Sequence, residues 1–141
     1  MTLLEVLITT AIILSLAALS MPALMKARTK GTLAKTAATI AALETALSMY
    51  ESDLGDYPAA DGTGCAQLIT ALRGPVAEPR WKGPYMRFRE AELDTGGNLL
   101  DHWQTSFSYA YPQTAHPGTP FTIASAGPDK LFGTADDIGN W

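Results

Sequence analysis

With 141 residues, 47% of them hydrophobic and 17% charged, the chain has room for one small domain beside any extended segment. Residues 1–52 carry four basic and three acidic side chains, and residues 53–141 carry six basic and eleven acidic. The second part therefore stands at −5, which excludes a nucleic acid as partner because that would want a basic face.

From Leu3 to Met25 the one charged residue is Glu5, and the twenty positions between Glu5 and Lys26 are uncharged and mostly apolar. A helix needs about 20 such residues to cross roughly 30 Å of hydrocarbon. Apolar residues fall on every face, the pattern of a helix with lipid or other helices all round it. Pro22 lies inside this stretch, where it removes a backbone donor and crowds the preceding turn. Neighbours in a membrane or bundle can re-satisfy the freed carbonyl. Since the helical pattern resumes, Pro22 is expected to break the helix locally, as a kink or a melt, and not to end it.

Residues 26–53 continue the helix in amphipathic form. Leu33, Ala37, Ile40, Leu43, Leu47 and Tyr50 recur at three- and four-residue steps on one face, with Glu44 and Glu51 beside it. Alanine, the best helix former, is frequent, Gly31 is the weak point, and Gly55 is the expected C-cap. One helix over residues 2–53 would be about 78 Å long. The rest of the chain is too small to cover it, so residues 1–25 are expected in a membrane or among other subunits. The cluster Lys26, Arg28, Lys30 and Lys35 reads as a solvated face touching headgroups. The positive-inside rule alone would put it on the cytoplasmic side.

Residues 54–141 form the predicted globular head. Pro58 discourages further helix, and Asp61-Gly62-Thr63-Gly64 is turn chemistry. Cys65, the one cysteine, cannot form an internal disulfide and reads as a small buried residue. Cys65 to Arg73 is a predicted short helix with Leu68, Ile69 and Leu72 on one face, stopped by Gly74-Pro75. Pro75, Pro79 and Pro84 make residues 75–85 irregular. Trp81 and Tyr85 within them either pin that loop to the core or offer a subunit contact. Phe107–Tyr111 and Phe121–Ala124 are predicted strands, with a weaker candidate around Asn98–Leu100. The expected class is α+β, a small antiparallel sheet lying on the apolar face of the long helix.

The chain ends SAGPDKLFGTADDIGNW. Asp129, Asp136 and Asp137 fall within nine residues, with Gly127 and Gly133 permitting sharp turns. Carboxylates and carbonyls are what a hard cation such as calcium takes, yet Lys130, Leu131 and Phe132 do not fit an EF-hand and no Glu closes the loop. An ordinary Asp/Gly turn and a cation site are both compatible with this composition. No enzyme constellation is present: His102 and His116 lie in no metal spacing, His102 reads as a turn residue beside Trp103, and there is no phosphate-binding glycine loop or Gly-x-Ser-x-Gly.

Thr2-Leu3-Leu4-Glu5 followed by the apolar run with Pro22 resembles the mature N-terminus of the type IV pilin-like family. In the head, Gly55-Asp56-Tyr57-Pro58 is similar to the G-x-Y-P segment of the major pseudopilin family of type II secretion and Trp81-Lys82-Gly83-Pro84-Tyr85 to its W-x-G-P-Y segment. Asp101-His102-Trp103-Gln104 is similar to D-P-W-G, with His102 and Gln104 replacing Pro and Gly. Ser125–Asp129 and Asp137–Trp141 resemble its C-terminal loop. The combination points to the major pseudopilins of type II secretion.

This resemblance implies a filament subunit, anchored in the bacterial inner membrane with a periplasmic head and then polymerised through its N-terminal helices. It implies processing by a prepilin peptidase, with Met1, where the family usually has Phe, as an N-methylated amine; Met1 as an initiator is the alternative. A removed basic leader would reconcile the periplasmic head with the positive-inside rule. Glu5 would pair in the filament core with the Met1 amine of a neighbouring subunit. The implied metal is calcium, held by Asp129, Asp136, the carbonyls of Ala126 and Leu131, and Asp137. Implied partners are the minor pseudopilins and the secretion or pilus assembly machinery. The alternatives are the major pilin of an extracellular type IV pilus and a membrane-anchored calcium-binding module that does not polymerise.

Overall fold

A computed structural model describes residues 2–141, which divide into two compact units, one ending at Ala34 and the other Lys35–Trp141. Helix α1 is assigned over Leu3–Leu54. The described side chains from Thr2 to Lys30 stand in the open, with Leu3 at 85% exposure, Leu19 at 77% and Met25 at 68%. The helix is long and apolar enough to cross a membrane. Its few polar groups are satisfied internally: Thr9, Thr10, Ser15 and Ser20 donate their hydroxyls to carbonyls three or four residues back, so these donors can face lipid at little cost. Helix α1 continues through position 22, so Pro22 does not end it. One lost hydrogen bond does not undo a helix that propagates cooperatively on both sides.

In the second unit, α1 from Lys35 onward buries Thr36, Ile40, Leu43, Ala46 and Leu47. The expected face is present with one correction: Ala37 is exposed and Thr36 is fully buried. Steps of three and four from Leu33 to Thr36, Ile40, Leu43 and Leu47 follow the helical period more evenly, and the Thr36 hydroxyl meets His102 Nδ1 at 3.5 Å. Gly55 closes α1 with φ +87° and its amide on the Glu51 carbonyl, at 2.6 Å.

Two antiparallel strands, β2 (Ser108–Tyr111) and β3 (Thr122–Ser125), form the centre of a four-stranded sheet. Its edges are β1 (Ala60–Asp61), paired with β2, and β4 (Ile138–Gly139), paired with β3. Both edges fall where the sequence predicts turn or loop. Runs of two residues are too short to show a period of two, and tertiary pairing alone makes them strands. Around Asn98–Leu100 there are only the isolated bridges Leu93–Leu99 and Leu100–Ser106.

Helix α2 (Ala66–Arg73) lays Leu68, Ile69 and Leu72 into the core, where they join Ile40, Leu43 and Leu47 of α1, Phe107, and Tyr109 and Ile123 of the central strands. No side chain on α2 caps its start. Asn98 Oδ1 does so from a distance, accepting the amides of Cys65 and Ala66 at 2.9 Å each. Burial drives the Cys65 thiol up to about 11, which leaves it protonated and inert. The irregular 75–85 segment is pinned as one of its two readings expects: Trp81 Nε1 donates to the Ala71 carbonyl at 3.2 Å and the Tyr85 amide to that of Leu72 at 2.9 Å.

Candidate functional site

Two places carry the chemistry the sequence singles out, the loop between β3 and β4 and the start of α1. The loop leaves β3 through Ala126 and Gly127, both buried. Gly127 has φ +66°, and a Cβ on it would run into the carbonyl oxygen of Asp136, so glycine is what lets the two ends of the loop close on each other. A turn follows, with the Lys130 amide on the Gly127 carbonyl at 3.3 Å and Lys130 itself at φ +63°.

Asp129 and Asp136 are brought together. The Asp129 amide donates to Asp136 Oδ2 at 3.2 Å, while Asp129 Oδ1 accepts the Leu131 amide at 2.9 Å. Thr134 Oγ1 stands 2.6 Å from Asp136 Oδ1 and 3.2 Å from the Leu131 carbonyl. One hydroxyl proton cannot serve both acceptors, and the shorter contact takes it. The Leu131 carbonyl, close to the same hydroxyl, therefore keeps its capacity to accept or ligate. The Thr134 hydroxyl, followed by the Asp129 amide, outweighs desolvation and holds the Asp136 carboxyl below its usual range. Thr134 has no counterpart in the sequence reading. Its only signal there is a hydroxyl two residues before an aspartate.

Asp137 is set differently. Its Oδ2 accepts the Gly133 amide at 2.7 Å, whereas its Oδ1 is buried with no hydrogen-bond partner. A buried carboxylate oxygen left unpaired is costly, and a cation would relieve it. Among the described residues no three Asp, Glu, His or Cys side chains converge as a metal-ligating group. A cation here would therefore lean on carbonyl oxygens beside its carboxylates. That donor set suits a hard ion and not zinc.

At the other end, Thr2 and Glu5 cap α1 reciprocally. The Glu5 amide donates to Thr2 Oγ1 at 3.3 Å and the Thr2 amide to Glu5 Oε2 at 3.4 Å. This is the Thr-x-x-Glu capping box, whose signal in the sequence is Thr2 three residues before Glu5, and it gives Glu5 a local role within the subunit. The Met1 amine lies outside the described residues. His102, expected as a turn residue, is exposed in a turn, and its neighbour Asp101 is a buried acceptor, not the orienter of a base.

Comparison with known proteins covers nearly all of the chain. The family model for type II secretion system protein G matches residues 23–141. A type II secretion system core protein G of Vibrio cholerae is 34% identical over 144 residues, spanning 99% of this chain and 89% of its own. That of Escherichia coli K12 is 35% identical over 141 residues, spanning 99% and 88%. The crystal structure of the major pseudopilin from the type 2 secretion system of enterohaemorrhagic Escherichia coli superposes with a TM-score of 0.58 at 30% identity, covering 84% of this chain and 89% of that one.

Proposed function

The chain belongs to the protein G family of the type II secretion system, the major pseudopilins, and from that membership we propose how its parts work. The family is a structural subunit and not an enzyme; its place is in the pseudopilus. The subunit waits in the inner membrane on the first part of α1, with its head in the periplasm. Its helices then leave lipid for the apolar core of a growing filament that pushes folded proteins outward. The observation that carries this reading is the exposure of every described side chain from Thr2 to Met21, most of them apolar. Such a surface needs lipid or like helices around it. The prepilin peptidase, minor pseudopilins and assembly machinery are the partners this role requires. The relatives' pseudopilin identity leaves the extracellular pilus and the lone anchored module without comparable support.

Calcium is the proposed ligand of the β3–β4 loop. Asp129, Asp136 and the Leu131 carbonyl stand together, and Asp137 and the Ala126 carbonyl complete the proposed set. The ion would neutralise clustered carboxylates and lock the loop.

Deleting the gene in the host tests the function. The expected result is that folded secreted proteins accumulate in the periplasm, that the wild-type gene restores their release, and that overproduction yields filaments containing this chain. Undiminished secretion in the deletion strain would overturn the reading.

A further inference from the structure

Asp101 lies outside the β3–β4 loop yet is hydrogen-bonded to its base. The residue is 3% exposed. Its Oδ1 accepts the amides of Trp103 at 2.8 Å and Thr105 at 2.9 Å, and its Oδ2 accepts the Ser125 hydroxyl at 2.6 Å. Two amides on one oxygen fix the group as an acceptor, so the proton between Asp101 and Ser125 belongs to Ser125. Ser125 Oγ has then spent its proton and can only accept. It accepts the Gly127 amide at 3.2 Å. Ser125 is itself fully buried, so water does not compete for any of these groups.

The Gly127 amide and the Ala126 carbonyl are two ends of one peptide plane. That bond is not among the cis peptides of the chain. In a planar trans peptide the carbonyl points opposite to the amide. Holding Gly127 N–H on Ser125 therefore aims the Ala126 carbonyl away from Ser125. Gly127 is also where the Asp136 backbone and carboxylate close against the loop's first strand. We propose that Asp101, acting through Ser125, is the positioning residue that presents the Ala126 carbonyl to the loop's cation. This rests on the calcium reading above and adds to it a relay of two buried side chains outside the ligand set.

Calcium titration of the full chain in detergent, by calorimetry with calcium chloride as the probe, tests the relay. Ser125→Ala removes the acceptor for Gly127. Asp101→Asn puts a donor where the Ser125 proton must go. Both are expected to weaken the calcium Kd by roughly 10–100-fold, the usual cost of losing a partner that orients a metal ligand. Asn98→Ala serves as control: it damages the head at the α2 start, away from the loop, and should leave Kd within about twofold of wild type. General destabilisation would move melting in all three variants, whereas only the relay moves Kd in two of them. Wild-type Kd in Ser125→Ala would overturn the relay while the calcium reading stands. If Ser125→Ala does not fold, wild-type Kd in Asp101→Asn does the same. An Asn98→Ala variant that loses as much affinity as the other two also overturns it. No binding by the wild-type chain overturns the calcium reading and the relay together.

Discussion

Tyr85 donates its hydroxyl to Asp53 Oδ2 at 2.9 Å, which ties the proline-rich segment to the last turn of α1. Lys82 takes the other oxygen, Nζ to Oδ1, at 2.9 Å. Lys82 first and Tyr85 second hold the Asp53 carboxyl below its usual range. Asp56 is lowered chiefly by Tyr111, Asp94 by Asn98 and Asp136 by Thr134. A carboxylate whose folded pKa is depressed adds stability above its unfolded value, near 3.9, and loses that contribution as pH falls through the folded value. Head stability is therefore expected to be level from about pH 5 to 7 and to decline progressively below about pH 4. Asp53→Asn should lower the melting temperature at pH 7 by more than at pH 3. An equal decrement at both pH values in a thermal melt would show that the Asp53 contacts are not what titrates.

Calcium is expected to stabilise the head, because a ligand bound only by the folded form raises stability by mass action. Chelation should lower the melting temperature, and Asp129→Ala should abolish the response to added calcium. Identical melting curves with calcium and with chelator would end this expectation.

Glu5 is expected to direct assembly. An acidic residue at the centre of a membrane span costs about 2.5–3.5 kcal/mol; Glu5, near the end, costs less. Within the subunit it caps Thr2. In a filament core it would need a positive partner, and register would follow from that pairing because any other register leaves a carboxylate unpaired. Glu5→Leu should leave the chain membrane-inserted with a folded head and impair filament formation, with Glu5→Asp intermediate. The cap makes a separable contribution: Thr2→Ala removes it while keeping the carboxylate, and is expected to assemble better than Glu5→Leu. Filament counts by electron microscopy decide, and wild-type numbers for Glu5→Leu would refute the pairing role.

The helix between about Leu19 and Leu33 is expected to lose regularity on assembly. In the single subunit the helical assignment continues through it. Pro22 has nevertheless deleted one donor, and Gly31 lowers the local helical preference. This is where helix-to-helix packing can exact a change at least cost. A filament density map with unbroken helical hydrogen bonding through residues 15–33 would contradict it.

The long elements were legible because they carry a period. Twenty uncharged residues before Lys26 announce α1, and Leu68, Ile69 and Leu72 announce α2. The edges of the sheet were not, since Ala60–Asp61 and Ile138–Gly139 have nothing to alternate with. Thr36 was not legible as a core position, since its polarity argues against burial while its spacing argues for it, and a threonine facing His102 can be buried at a helix face. The aspartates of the C-terminal loop were legible as residues, whereas the hydroxyls that orient them were not. Thr134 and Ser125 acquire their roles from distances of 2.6 Å to carboxylates, one of them 24 positions away.

The brevity of β1 and β4 has a consequence for a protein that lives crowded against its own copies. A long bare edge invites another chain to add a strand, and a stack of heads would offer many such invitations at once. Each edge here is two residues long. β4 is followed at once by Asn140, whose side chain accepts the Ile123 amide at 2.9 Å and donates to the Phe121 carbonyl at 3.2 Å. Main-chain groups that a neighbouring copy could have used are thus spoken for within the head. Strand addition between heads is thereby disfavoured, and association in the proposed filament would be left to the helices, where it can be reversed without unravelling a sheet.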